Sequence, residues 1–205
     1  MGLTGPTLQR KPWVTYPWTG IDAGGGTGIH VVSNTWAQDP THPLMETDNN
    51  AFVKHAYQHT PPNGQNPSVS TYWECWFRPP TGFETFYFVI CNQSIIQVAN
   101  AAIRGYGIRV VCGGGGAIDV VRIDGAGALV VLAAGPPCMG TDIHRIRMSR
   151  EISGANRFWR LYYDDMVTPA AGPSATDATY TNFQYWGWDL QNGPRIVFGG
   201  EACQS

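Results

Sequence analysis

The sequence predicts an all-β protein, a sandwich of two antiparallel sheets preceded by an extended N-terminal arm. Three observations predict it. Several runs alternate with period two, STYWECWF and FWRLYYDD among them, as a strand with two unlike faces requires. The 25 glycines and 15 prolines fall between those runs and punctuate them. No segment offers a long amphipathic helix with caps at its ends. Aromatic residues at 12% and hydrophobic residues at 43% are too abundant for a disordered chain. The 205 residues suffice for one large domain with a substantial core.

Residues 1–29 have three prolines, a glycine cluster and scattered aromatics, with neither helical nor strand period. They read as an extended arm, with Trp13, Tyr16 and Trp18 as anchors on the domain or on a neighbouring subunit. The sandwich domain is expected over residues 30–205. HVVSNTW, from His30 to Trp36, is the first strand. Residues 37–50 read as a loop broken at Asp39-Pro40 and His42-Pro43. AFVKHAYQH fits a strand or a short helix, and TPPNGQNPS after it is a loop.

From Ser70 the strand signals become regular. STYWECWF puts Tyr72, Glu74 and Trp76 on one face and Trp73, Cys75 and Phe77 on the other. FYFVIC is a continuous apolar run, as expected of a strand covered on both faces. YGIRVVC, AIDVVRI and ALVVLAA follow as successive strands. DIHRIRMSRE places His144, Ile146 and Met148 opposite Ile143, Arg145 and Arg147. FWRLYYDD groups Trp159, Leu161 and Tyr163, and PRIVFGG supplies the closing strand.

Between YGIRVVC and AIDVVRI stand four glycines, Gly113 to Gly116. A phosphate cradle needs a helix after the glycines, whose N-terminus faces the anion. Here another strand follows, with no Lys-Ser or Lys-Thr. The run therefore reads as a hairpin turn, because glycine readily takes the positive φ such turns demand.

A formal net charge of -2 with two lysines, Lys11 and Lys54, argues against a nucleic-acid partner or an electrostatic membrane anchor. No run of 18 apolar residues suggests a membrane-spanning helix, and MGLTGPTLQRKPW lacks the apolar core of a signal peptide. The five cysteines include no C-x-x-C pair and several lie in apolar runs, so buried free thiols in a reducing compartment are expected.

The ordered set TYWECWFRPP, GYGIRVV, AIDVVRIDG, DIHRIRMSRE, NRFWRLYYDDMV and PRIVFGG resembles the concanavalin A-like, laminin-G-like jelly-roll superfamily over residues 70–201. Ile143 stands where that pattern has tryptophan, and Asp165 where it has the glycine of a turn. The resemblance implies two curved antiparallel sheets packed face to face. It does not choose a function, since the superfamily hosts lectins, hydrolases, lyases and virion proteins.

The residues test those functions. The E-x-D-x-x-E pattern of retaining glycosidases on this fold is absent: Glu46 and Asp48 are two apart, but Ala51 stands where the second glutamate would be. Asp164 and Asp165 are adjacent and read as a strand-end turn. His144 resembles the histidine of alginate-lyase relatives, but the accompanying tyrosine–lysine strand is missing, so it reads as a core or strand-face residue. His55 and His59 would share a face on a helix and lie about 13 Å apart on a strand. No third metal ligand accompanies them. Calcium, common among laminin-G-like domains, has Asp124, Asp142 and Asp189 to draw on, without a dense acidic motif. No G-x-S-x-G elbow occurs.

No catalytic residue, metal ligand or cofactor is therefore assigned. In NFQYWGWDL, Tyr185, Trp186 and Trp188 are candidates for stacking on sugar rings, with packing or subunit contact as the alternative. The expected function is that of a non-enzymatic virion structural protein, a tailed-phage capsid decoration protein above all. It would be made in the host cytoplasm and contact the major capsid protein and its own copies. The alternative is a lectin-like module that binds a glycan in host adhesion, with a polysaccharide lyase or hydrolase behind it.

Overall fold

The computed structural model describes residues 19–22, 29–33, 44–47, 51–56, 70–79, 84–93, 96–138, 140, 142–170, 176–181, 183, 185–189 and 197–204. For the first four stretches and the last, and at Thr71, Glu84 and Trp186, only the backbone is described. Every regular element among these residues is a strand. In chain order they are β1 (Thr19–Asp22), β2 (Ile29–Ser33), β3 (Leu44–Thr47), β4 (Ala51–Ala56), β5 (Thr71–Arg78), β6 (Glu84–Cys91) and β7 (Gly105–Cys112). There follow β8 (Ala117–Ile123), β9 (Leu129–Pro137), β10 (His144–Ser153), β11 (Asn156–Tyr163), β12 (Tyr185–Asp189) and β13 (Val197–Gln204).

The strands form a seven-stranded sheet, β1-β4-β12-β6-β7-β8-β9, and a six-stranded sheet, β11-β10-β5-β13-β3-β2. All their ladders are antiparallel, so the two-sheet sandwich expected from the sequence is the fold. Period-two alternation aims one face of each sheet at a shared core. β5 contributes Trp73, Cys75 and Phe77, and β10 contributes Ile146 and Met148. From the other sheet come Phe86, Phe88, Ile108 and Val120. Arg150 also points inward, with its guanidinium 5.9 Å from the Trp73 ring and 5.7 Å from Phe183.

The run FYFVIC is apolar throughout because both its faces are covered. Phe86, Phe88 and Ile90 lie in the sandwich core. Val89 and Cys91 lie in a second cluster with Ile96, Val98 and Ile103 from the β6–β7 connection. The buried Asp189 carboxylate accepts a hydrogen bond from the Val98 N–H at 2.6 Å and ties that connection to β12. Gly105 is needed beneath it, since a Cβ there would collide with the Ile90 carbonyl oxygen.

The glycine run is a hairpin turn. Gly113, Gly114 and Gly115 have φ of 79°, 58° and 81°, and the Gly116 N–H donates to the Gly113 carbonyl at 2.9 Å. β8 leaves it antiparallel to β7.

The sequence reading needs two corrections, at β1 and at β3. Part of the arm forms β1, which pairs with β4 at the edge of the seven-stranded sheet. Part of the expected loop at 37–50 forms β3, which pairs with both β2 and β13. Each has only four residues, too few for alternation to register. The segment containing Tyr185, Trp186 and Trp188 is an interior strand, β12, between β4 and β6. The strand-or-helix alternative at 51–59 resolves as strand over Ala51–Ala56.

Residues 176–181 and Phe183 pack against Tyr106 and Trp159 of the sandwich. Asp177 accepts hydrogen bonds from the Tyr106 hydroxyl at 2.6 Å and from Arg122, while its backbone carbonyl accepts from Trp159 Nε1 at 2.8 Å. Arg122 also holds Asp124, whose Oδ1 accepts from the Tyr180 hydroxyl. Burial works against the charge on Asp177, but the hydrogen bonds from Tyr106, Thr179 and Arg122 outweigh it and hold its pKa below the ordinary value. Arg122 lowers Asp124 in the same way, against burial and with help from Tyr180.

A carboxylate depressed in the folded state stabilises it fully above the unfolded pKa, and that stabilisation is lost as pH falls through the folded pKa. The melting temperature is therefore expected to begin falling below about pH 4, where free carboxyls titrate. Asp177→Asn should lower the melting temperature at neutral pH and flatten the acid slope. An acid slope identical to wild type in that variant would show that the cluster contributes nothing to it.

Candidate functional site

Of the sugar-stacking candidates of the sequence, Trp188 faces the core and not solvent. Trp188 is fully buried, with ring centroids 5.0 Å from Phe88, 5.8 Å from Phe86 and 6.0 Å from Phe77. It faces the core because the parity of β12 sends residue 188 inward and Asp189 outward. Tyr185 is half-buried against the second cluster. The side chain of Trp186 lies outside the described residues, as do Trp13, Tyr16, Trp18 and His59.

The acidic candidates are dispersed. Asp189 is held by Val98, Asp124 by Arg122, and Asp142 lies exposed in a separate bend. Among the described residues no three His, Cys, Asp or Glu side chains come together to hold a metal ion. Asp164 and Asp165 make a strand-end turn. Asp164 takes φ of 59° and accepts hydrogen bonds from the Arg145 N–H and from His144 Nδ1, and Asp165 accepts from the Val167 and Thr168 N–H groups. The positive φ sits at Asp164, one residue before the position where the resembled family has glycine. His144 stacks on Tyr163, centroids 4.8 Å apart.

The described side chains best arranged to bind something lie on the outer face of the six-stranded sheet. Three strands build it. β5 presents Tyr72, Glu74 and Trp76, β10 presents Arg145, Arg147 and Ser149, and β11 presents Arg160 and Tyr162. Register aligns them in rows, with Arg145 opposite Trp76, Arg147 opposite Glu74 and Tyr162, and Ser149 opposite Tyr72 and Arg160.

Glu74 is the centre of this face and is only 1% exposed, although it points away from the core. Two arginines cover it. Arg145 donates to Oε1 through Nε at 2.7 Å and through Nη2, and Arg147 donates to Oε2 through Nε at 2.6 Å. Both guanidiniums also lie against aromatic rings. Arg145 is 5.3 Å from the Trp76 centroid, and Arg147 is 4.3 Å from Tyr72 and 5.5 Å from Tyr162. The loop after β11 adds the Met166 carbonyl, which accepts from Arg147 at 3.2 Å. Nearby, Glu151 pairs with Arg160 at 2.8 Å.

This arrangement fixes two guanidinium planes beside three partly exposed aromatic rings. A carboxylate fork fastens each arginine, so little rotamer freedom remains to be lost on binding. The sequence shows the alternation on each strand but not that β5 and β10 are neighbours. A glutamate in an aromatic strand and two arginines at i and i+2 of another strand were the available signal.

No family model matches the chain, and no curated protein matches it by sequence. Solved structures resemble its fold. A functionally unknown protein from Saccharomyces cerevisiae is 8% identical, with a TM-score of 0.47 over 86% of this chain and 95% of that one. A glycosyl hydrolase family protein from Mycobacterium fortuitum is 10% identical, with a TM-score of 0.42 over 92% and 94%. The CBM2 module of the Lactobacillus casei BL23 phage J-1 evolved Dit is 12% identical, with a TM-score of 0.37 over 85% and 76%.

Proposed function

We propose that the chain is a non-catalytic carbohydrate-binding module that holds a saccharide across the outer face of the six-stranded sheet. One observation carries this: the buried Glu74 pins Arg145 and Arg147 beside Tyr72, Trp76 and Tyr162. Aromatic rings stack on the apolar faces of sugar rings, and fixed N–H donors take their hydroxyl oxygens. The array also lies on strands, which hold it more rigidly than loops would.

Binding to a glycan array, followed by titration calorimetry on the best saccharide, tests this. Trp76→Ala is expected to weaken binding about tenfold, the equivalent of about 1.4 kcal/mol, with little change in melting temperature. Absence of any saccharide ligand, or unchanged affinity in Trp76→Ala, would refute the assignment.

A second reading is a virion structural protein, such as a capsid decoration protein, working through protein–protein contact. The observation favouring it is β9. This strand ends the seven-stranded sheet and exposes Val130 (39%) and Val131 (48%). An unpaired edge with exposed valines is a template for a neighbouring copy or a capsid protein. Co-purification with virus particles, lost in Val131→Lys, is the expected result. Particles that never carry the protein would sink this second role.

A further inference from the structure

Cys112 and Cys138 stand 26 residues apart in sequence and end side by side. Cys112 is the last residue of β7, and Cys138 follows β9 directly. Their backbones form a parallel bridge, and the Cys138 N–H donates to the Gly116 carbonyl at 3.2 Å. The glycine turn thus brings the end of β9 back against the end of β7. Both thiols are free and buried, and the two sulfurs face each other at 2.6 Å. Cys75 and Cys91 are also buried, Cys75 in the sandwich core and Cys91 in the second cluster.

We infer that Cys112 and Cys138 are an oxidation site, closing to a disulfide when the protein meets a peroxide. In the pair, the hydrogen bond from Cys112 favours the thiolate on Cys138, outweighing the opposing effect of burial. The same contact, followed by burial, keeps Cys112 protonated. Cys138 also lies beside the edge strand, where a small oxidant needs the least opening of the sandwich.

The Cys138 thiolate attacks one peroxide oxygen. The O–O bond breaks, leaving a sulfenic acid on Cys138 and hydroxide, which is protonated to water. Cys112 sulfur then attacks the Cys138 sulfur, the S–O bond breaks, and the oxygen leaves as a second water. Two thiols are oxidised to one disulfide, and one hydrogen peroxide is reduced to two waters.

The test uses the full chain treated with hydrogen peroxide, alkylated under denaturing conditions and digested with trypsin. Cleavage after Arg109, Arg122 and Arg145 puts Cys112 alone in peptide 110–122 and Cys138 alone in peptide 123–145. The expected result is a covalent 110–122/123–145 species that a reductant separates, with two free thiols lost per chain. Cys138→Ser should abolish that species and leave Cys112 alkylatable. Sulfinic acids on separate peptides, a cross-link involving a different cysteine, or no loss of thiols would overturn the inference. The wild-type digest alone decides the question if the variant fails to fold.

Discussion

Trp188→Ala is expected to destabilise the protein by about 3–5 kcal/mol, the range for deleting a buried tryptophan side chain. The indole is fully buried and sits among Phe77, Phe86 and Phe88, from both sheets. Its removal takes contacts from each layer and leaves a cavity that the strands cannot close without shifting register. A domain of this size has about 5–15 kcal/mol of stability in total, so much of the margin would be gone. Equilibrium unfolding in urea measures the loss, and Trp188→Phe should recover part of it. A Trp188→Ala protein that unfolds like wild type but no longer binds a saccharide would restore this residue to a ligand site.

That prediction depends on which face of β12 Trp188 occupies, and there the sequence was silent. Alternation over five residues, interrupted by Gly187, says that residues 186 and 188 agree in side. It cannot say which side faces the core. β12 pairs with β4 and β6, about 130 and 100 residues earlier in the chain, and no local signal names such distant partners. Where pairing is local, the sequence was legible. β7, β8 and β9 form consecutive antiparallel pairs joined by glycine turns, as do β10 and β11 about Gly154. Their spacing and turn chemistry specify both the strands and their neighbours.

The outer-face array shows the same division. Tyr72, Glu74 and Trp76 were legible as one face of a strand, and so were Arg145 and Arg147. Their meeting depends on β5 pairing with β10, a connection across about 70 residues. Cys112 was legible as a thiol ending an apolar run and Cys138 only as a cysteine after two prolines, neither as one of a pair. Their contact depends on how β9 ends after two register shifts against β8.

Glu74→Ala is expected to cost about 3 kcal/mol in stability and to weaken saccharide binding as well. Removing one member of a buried charge cluster typically costs about 3–5 kcal/mol, because the remaining charges lose their counterion where water cannot replace it. The lower end applies because Arg145 and Arg147 keep 23% and 18% of their side-chain surface in water. Released from Glu74, both guanidiniums would regain rotamer freedom, and the rings they lie against would lose a fixed neighbour. Glu74→Gln separates charge from shape. It preserves an oxygen acceptor of nearly the same size, so its loss should be smaller than that of Glu74→Ala in both measurements. Trp76→Ala provides the contrast, since it should reduce affinity while leaving stability nearly intact. If Glu74→Ala has wild-type stability and wild-type affinity, the carboxylate does not organise this face, and the proposed binding surface loses its physical basis.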